Sequence, residues 1–352
     1  MIAGLLLVVG LGLLLGGAEA LVRGASRLAT ALGVSPLLVG LTVVAWGTSA
    51  PELVVSTMAA VQGQPDIALG NVVGSNVFNV LFILGAAAAV TPLVVARQLV
   101  WIEVPLLVGV SLVTWALAAD ARIGRGDGIL LLLLGLGYTV FAVRYGAAPE
   151  SNDLGKGGDP SRQRLAYHGA FVVVGLGALV VGSRWFVQGA VEIARWLGVS
   201  ELVIGLTIVA GGTSLPELAT SVVAALKGER DISVGNVVGS NLFNLLFVLG
   251  AAAAISSDGV KVASAALHFD LPVMVAVAVA CFPIFFTGHT IARWEGWLFL
   301  GYGAAYWAYL LLASGEHAML PLFNRVMLAF VVPLTLITLA VSMVRSLRRG
   351  QG

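Results

Sequence analysis

The chain has 352 residues, 59% of them apolar and only 11% charged, with 19 Lys and Arg against 18 Asp and Glu. A soluble domain carries about 25% charged residues, so this sequence cannot clothe a water-exposed surface. Its net charge of +1 without a basic patch excludes nucleic-acid binding, and the lone Cys281 excludes a disulfide framework or a thiolate metal site.

Apolar windows bounded by charges and by Gly and Pro predict eleven spans. They run near residues 2–31, 36–62, 66–90, 98–119, 126–145, 165–195, 201–226, 231–255, 267–287, 293–313 and 320–345, each close to the about 20 residues that cross a bilayer. The sequence reads as an all-α polytopic protein of the lipid bilayer, with no room for a large extramembrane domain. No basic residue precedes Arg23, so the first span is expected to be a retained helix rather than a leader. The longest polar stretch, 146–164, contains Gly-Lys-Gly-Gly-Asp-Pro and is expected to be a short cytoplasmic loop. With the N-terminus outside, 13 of the 19 basic residues fall on the inner side. The positive-inside rule then puts the C-terminus in the cytoplasm.

The sequence repeats itself. Gly40–Gly85 aligns without a gap on Gly205–Gly250 at an offset of 165, with 30 of 46 positions identical. Both copies carry Gly-Thr-Ser-x-Pro-Glu-Leu and Gly-Asn-Val-Val-Gly-Ser-Asn-x-Phe-Asn, strings that apolar low complexity does not produce. The expected organisation is a first five-helix repeat over 1–145, the loop 146–164, a second repeat over 165–313, and an extra helix with a basic tail over 314–352. Five is odd, so the second copy enters the membrane with opposite polarity. Inverted repeats of this kind are a recurrent plan of secondary transporters, with the substrate site at the midplane between the copies.

Polar residues at membrane depth locate that site. Pro51 lacks an amide hydrogen and is expected to interrupt the second span by clashing with the carbonyl of Gly47; Pro216 repeats the device in the seventh. Thr48 and Glu52 share a helix face, as do Thr213 and Glu217. Asn71, Ser75 and Asn79 follow at four-residue intervals, and Asn236, Ser240 and Asn244 copy them. Hydroxyls and amides could serve only as packing contacts between helices. An ionised carboxylate near a helix centre costs about 2.5–3.5 kcal/mol, so Glu52 and Glu217 call for a cation or a proton. Every available donor is oxygen, which suits a hard cation such as Ca²⁺. Two carboxylates balance one Ca²⁺ or two Na⁺, and mutually exclusive occupancy is the basis of exchange.

These paired motifs resemble the two alpha-repeats of the Ca²⁺/cation antiporter superfamily, and in particular the prokaryotic sodium/calcium exchanger family; the chain is similar also to its potassium-dependent relatives. The resemblance implies ten core helices in two inverted halves and exchange of Na⁺ for Ca²⁺, with those ions as the only bound groups and no other cofactor. It implies Glu52 and Glu217 as the shared central carboxylates, and Thr48 and Thr213 as ligands beside them. Ala45 and Ala210 would supply carbonyls, and Ser49, Ser75, Ser214 and Ser240 would line flanking Na⁺ sites. Asn79 and Asn244 would complete the centre. Many relatives carry Asp where this chain has Asn244, and an acid there is associated with potassium dependence or a protonatable centre, so no K⁺ requirement is expected and the stoichiometry stays open. The eleventh span exceeds the usual ten and is expected to be peripheral or an oligomer contact.

Other polar residues read as structural. Glu103 and Asp270 sit near span starts, where a helix dipole favours an acid close to water, and a structural role is preferred there to one in ion entry. Glu19 and its repeat position Arg184 are expected to snorkel or to pair within the protein. His168, His268, His289 and His317 do not form a ligand set, and the aromatic residues of 294–309 suit an interfacial belt and a packed last helix. Ser49 and Ser214 have no His at a plausible depth to act as base, so the chain is read as a transporter and not an enzyme. Two further readings stay open: a Ca²⁺/H⁺ exchanger of the same fold, and a cation channel.

Overall fold

A computed structural model of the chain describes residues 2–146, 162–315 and 317–349. Residues 147–161 of the expected central loop lie outside the described part. The helices are α1 (Ile2–Leu32), α2 (Pro36–Thr48 and Ala50–Val61), α3 (Pro65–Val90), α4 (Leu99–Leu117), α5 (Arg125–Tyr145) and α6 (Gln163–Trp196). They continue as α7 (201–212 and Leu215–Leu226), α8 (Arg230–Ile255), α9 (Ala266–His289), α10 (Arg293–Ser314) and α11 (Leu320–Val344). Among the described residues nine are unbroken, long enough and apolar enough to cross a membrane, and α2 makes a tenth if its halves form one span bent by 47°. The protein is an all-α polytopic membrane protein with two inverted five-helix repeats and one helix beyond them.

The breaks in α2 and α7 differ from the sequence expectation. The chain leaves helical geometry at Ser49 (ψ 8°) and Ser214 (ψ 10°), and Pro51 and Pro216 lie in the first turn of the helices that restart behind them. A missing amide hydrogen costs nothing in a first turn, so each proline starts a half-helix rather than kinking one. Glu52 and Glu217 therefore occupy the first turn of their half-helices.

Helices α1 and α6 run antiparallel and touch backbone to backbone. Gly10, Gly17 and Gly24 recur every seven residues on α1, and Gly175, Gly182 and Gly189 match them at the repeat offset on α6. A Cβ on Gly17 would lie 2.9 Å from the carbonyl of Gly175, and one on Gly182 would lie 2.9 Å from the carbonyl of Gly10. Only glycine permits that approach, as in other membrane helix pairs packed on small residues.

Helices α3 and α8 form the centre, with 72% and 78% of their apolar windows buried, whereas α11 has 6% buried and lies outside. Each central helix is covered by the other repeat: α10 packs on the end of α3, and α5 on the end of α8. Two short ribbons continue this exchange. Strand β1 (Leu93–Val94), after α3, pairs antiparallel with β4 (Thr290–Ile291), before α10, placing Leu93 opposite Ile291. Strand β2 (Arg122–Ile123), before α5, pairs with β3 (Val260–Lys261), after α8. Both α3 and α8 contain a π-type turn, Asn79–Leu84 and Asn244–Leu249. Such turns shift the residues that follow round the helix and occur often at functional sites.

Candidate cation site

The two broken helices meet α3 and α8 in a buried polar layer, and many of its bonds occur twice. Ser49 Oγ donates to Glu217 Oε1 at 2.9 Å, and Ser214 Oγ donates to Glu52 Oε1 at 3.1 Å. Each serine thus caps the carboxylate of the opposite repeat. Asn71 Nδ2 donates to Ser56 Oγ at 2.9 Å and to the Glu52 carbonyl at 3.3 Å; Asn236 Nδ2 donates to Ser221 Oγ at 2.9 Å and to the Glu217 carbonyl at 3.4 Å. Their amide oxygens accept across the repeats, from Thr213 Oγ1 at 3.4 Å and from Thr48 Oγ1 at 3.1 Å. The half-helices that carry the glutamates are therefore held by their own repeat and by its twin.

The expected ligands come together. Glu52, Glu217, Thr48, Ser49, Ser214, Ser75, Ser240, Asn79 and Asn244 are all buried. Ser214 Oγ also lies 3.3 Å from Ser75 Oγ, and Ser240 donates to the Ala45 carbonyl at 3.5 Å. Ala210 opens the short stretch Ala210–Gly212 before the second break. Two residues outside the expected set join them. Asn76 and Asn241 are 2% exposed and hydrogen-bond to the amides of Asn244 and Asn79. They are identical in the two repeats, which is the only sign of them in the sequence.

The layer leaves acceptors unused. Among the described residues five buried side-chain oxygens have no hydrogen-bond partner within the protein: Glu52 Oε2, Glu217 Oε2, Asn79 Oδ1, Asn244 Oδ1 and Thr220 Oγ1. Four of the five belong to two repeat-equivalent pairs. Nothing else in the structure accounts for the Thr220 hydroxyl. An unsatisfied buried polar group costs about 1–3 kcal/mol, more when charged. Four such oxygens in one layer are what a bound cation would repay. Among the described residues neither glutamate has a basic partner, whereas Glu19 pairs with Arg23 and with Lys227. Among the described residues no three His, Cys, Asp or Glu side chains cluster either, so the donor set there is two carboxylates plus neutral oxygens.

The two sides of the layer differ although their sequences repeat. A Cβ on Gly239 of α8 would lie 2.5 Å from the carbonyl of Leu41, and one on Gly40 would lie 3.0 Å from Cα of Ile232. The first half of α2 is thus pressed against α8. The equivalent glycines of the other pair, Gly70 and Gly74 on α3 and Gly205 on α7, have nothing within 4 Å of an added Cβ. The first half of α7 stands away from α3, and Asn71 is partly exposed where Asn236 is fully buried. The site is closed on one side and open on the other.

The residues read as structural also find places. Glu103 is fully buried, contrary to the expectation that it stays close to water, because Gln98 Nε2 and Tyr138 Oη donate to its oxygens at 2.8 and 2.9 Å. Tyr306 Oη does the same for Asp270 at 2.9 Å. Tyr302 Oη donates to Thr335 Oγ1 of α11 at 2.8 Å, and the Trp307 ring lies tilted against Phe82, with centroids 4.4 Å apart. These aromatic residues pack α10 against its neighbours, as the sequence suggests for a packed helix.

Comparison with known proteins agrees with this geometry. The family described as Sodium/calcium exchanger protein matches residues 2–144 and 167–315. The chain is 42% identical over 284 residues to CaxA of Alkalimonas amylolytica, covering 80% of this chain and 88% of that one. It is 38% identical over 290 residues to the inner membrane protein YrbG of Escherichia coli (strain K12), again covering 80% and 88%. Among solved structures, the sodium-calcium exchanger NCX_Mj superposes with a TM-score of 0.75 at 30% identity, covering 85% of this chain and 96% of that one.

Proposed function

The chain belongs to the sodium/calcium exchanger protein family and is a cation antiporter, not an enzyme; from that premise we propose that it exchanges Na⁺ for Ca²⁺ across a prokaryotic inner membrane by alternating access to the layer between its repeats. The observation that carries this reading is the set of four unpartnered buried oxygens on Glu52, Glu217, Asn79 and Asn244. Ca²⁺ takes six to eight oxygen ligands in flexible geometry. The two carboxylates and two amide oxygens begin that shell, with Thr48, Thr213 and the Ala45 and Ala210 carbonyls beside them. Ser49, Ser75, Ser214 and Ser240 line the flanking Na⁺ positions. Two carboxylates in one layer cannot remain ionised and empty at low cost, so the empty carrier is disfavoured and one cation leaves as another arrives.

With the N-terminus outside and the C-terminus in the cytoplasm, the first half of α7 begins on the outer face. The open side at Gly70, Gly74 and Gly205 then makes this an outward-facing state. Closing α7 onto α3 while α2 leaves α8 would give the inward-facing twin, because the repeats have the same motifs in opposite senses. The functional units are residues 1–145 and 165–313, joined by the cytoplasmic loop 146–164. Residues 314–352 add a peripheral helix that would carry any contact between copies. With Asn at both 79 and 244 the exchange requires no K⁺.

The test is uptake of ⁴⁵Ca²⁺ into proteoliposomes under an imposed Na⁺ gradient, in the absence of K⁺. Uptake that follows the Na⁺ gradient supports the reading. Uptake that ignores Na⁺ and follows a pH gradient replaces it with Ca²⁺/H⁺ exchange. Ca²⁺ flux with no counter-ion would mean a channel.

A further inference from the structure

We propose that Asn76 and Asn241 are positioning residues that decide which atom of Asn244 and Asn79 faces the transported cation. This rests on the reading above, in which the amide oxygens of Asn79 and Asn244 are cation ligands. An asparagine amide presents an oxygen on one side and an NH₂ on the other, nearly equal in shape and opposite in function. A ligand amide turned by half a rotation would aim N–H donors at a cation and repel it. Something in the protein must therefore choose the orientation.

The choice begins at atoms that cannot turn. Asn76 Nδ2 lies 3.4 Å from the backbone carbonyl of Asn241, and Asn241 Nδ2 lies 3.4 Å from the backbone carbonyl of Asn76. A backbone carbonyl only accepts, so each inner amide must place its NH₂ on that side and its oxygen on the other. Asn76 Nδ2 is also 3.7 Å from Met274 Sδ, another acceptor. The outward-turned oxygens then select the outer amides. Asn79 Nδ2 donates to Asn241 Oδ1 at 2.9 Å, and Asn244 Nδ2 donates to Asn76 Oδ1 at 3.2 Å. The acceptor left on each outer amide is its Oδ1, and those are two of the unpartnered oxygens of the layer. Reversing Asn79 would set its oxygen against Asn241 Oδ1 and leave an NH₂ pointing at the site. The chain of acceptors makes that state costly before any ion arrives.

The pairing crosses the repeats. Asn76 of the first repeat acts through Asn244 of the second, and Asn241 acts through Asn79. Side-chain amides three apart in sequence thus share no hydrogen bond, while those 168 and 162 apart do. That pattern separates positioning from a general contribution to folding, which would not depend on the partner.

The experiment is a pair of double-mutant cycles on the purified full chain, read as the dissociation constant for Ca²⁺ by equilibrium ⁴⁵Ca²⁺ binding without Na⁺. Asn76→Ala is expected to weaken Ca²⁺ about 10- to 100-fold, the usual range for residues that orient a metal ligand. In an Asn244→Ala background it is expected to change affinity less than about threefold, because the ligand it orients is gone. Combined with Asn79→Ala its effect multiplies in full. Asn76→Ser, too short to reach Asn244, stands in if the alanine variant does not purify as folded protein. Wild-type affinity in either variant overturns the proposal, as does an effect that multiplies equally with Asn244→Ala and Asn79→Ala. If Asn244→Ala and Asn79→Ala themselves leave Ca²⁺ binding intact, the ligand reading fails instead, and the two failures are told apart.

Discussion

Replacing Glu52 with Gln separates the charge of the site from its shape. The amide keeps an acceptor for Ser214 Oγ, which lies 3.1 Å from Oε1, and sets an N–H donor where the unpartnered Oε2 now points. Removing one partner of a buried charge pair costs about 3–5 kcal/mol. At about 1.4 kcal/mol per decade this is a loss of roughly two to three and a half decades in Ca²⁺ affinity. Thermal unfolding of the purified protein reads it directly. At a Ca²⁺ concentration 1,000 times the wild-type Kd, binding stabilises the native state by about 4.1 kcal/mol, and after a thousandfold loss by about 0.4 kcal/mol. The Ca²⁺-induced rise in Tm should therefore nearly vanish in Glu52→Gln. Without Ca²⁺ the sign reverses: the two buried carboxylates no longer oppose each other, so the Ca²⁺-free variant should melt above the Ca²⁺-free wild type. Glu217→Gln should behave alike, since Ser49 caps it at 2.9 Å. A Glu52→Gln protein that kept its Ca²⁺-dependent stabilisation, or lost stability in both conditions, would refute the reasoning.

Gly17→Leu forces α1 away from the Gly175 carbonyl, 2.9 Å from the added Cβ, and should cost about 1–3 kcal/mol as an overpacked contact. The neighbouring Gly16→Leu, with nothing within 4 Å of its Cβ, should leave Tm unchanged and serves as the control. Lys227→Ala removes the 2.8 Å bond to Glu19, both side chains being partly exposed, and should change stability by less than about 1 kcal/mol in a denaturant titration. Truncation after Ser314 removes α11, whose window is 6% buried. Na⁺-driven ⁴⁵Ca²⁺ uptake should survive it with a modest fall in Tm, and loss of uptake would show that α11 belongs to the transport core.

Much of the architecture was legible because the chain states its motifs twice. The 165-residue offset announced two copies, the odd number of spans between them announced the inversion, and Glu52 and Glu217 marked the layer because a membrane tolerates so few acids. Other features left weaker traces. The glycines of α1 and α6 have a seven-residue period, but Gly is common in membrane helices and the period shows only when the two stripes face each other. Asn76 and Asn241 fall one residue off the four-residue ladder of Asn71, Ser75 and Asn79, so a helical-face argument passes them over. The π-type turns at Asn79 and Asn244 follow no residue type. The prolines were read as kinks inside a helix because the serine break ahead of them carries no propensity signal. The difference between the closed α2 side and the open α7 side had no trace at all. Both carry the same motif, so their difference belongs to the state of the molecule and not to its spelling.

The two ribbons at the ends of the central helices bear on how the protein is made. Ile123 waits for Val260, and Leu93 for Ile291. At about 5–20 residues per second of synthesis, the strands of the leading half wait roughly 7 to 40 s before they meet their partners. During that interval Glu52 and Asn79 lack Ser214 and Asn241 as neighbours. The insertion machinery must shelter an unfinished polar face until the trailing half arrives, and severing the chain between the halves would turn that wait into a search for a separate molecule. A split gene should therefore yield working exchanger only when both pieces are synthesised together, each acting as the other's last folding step.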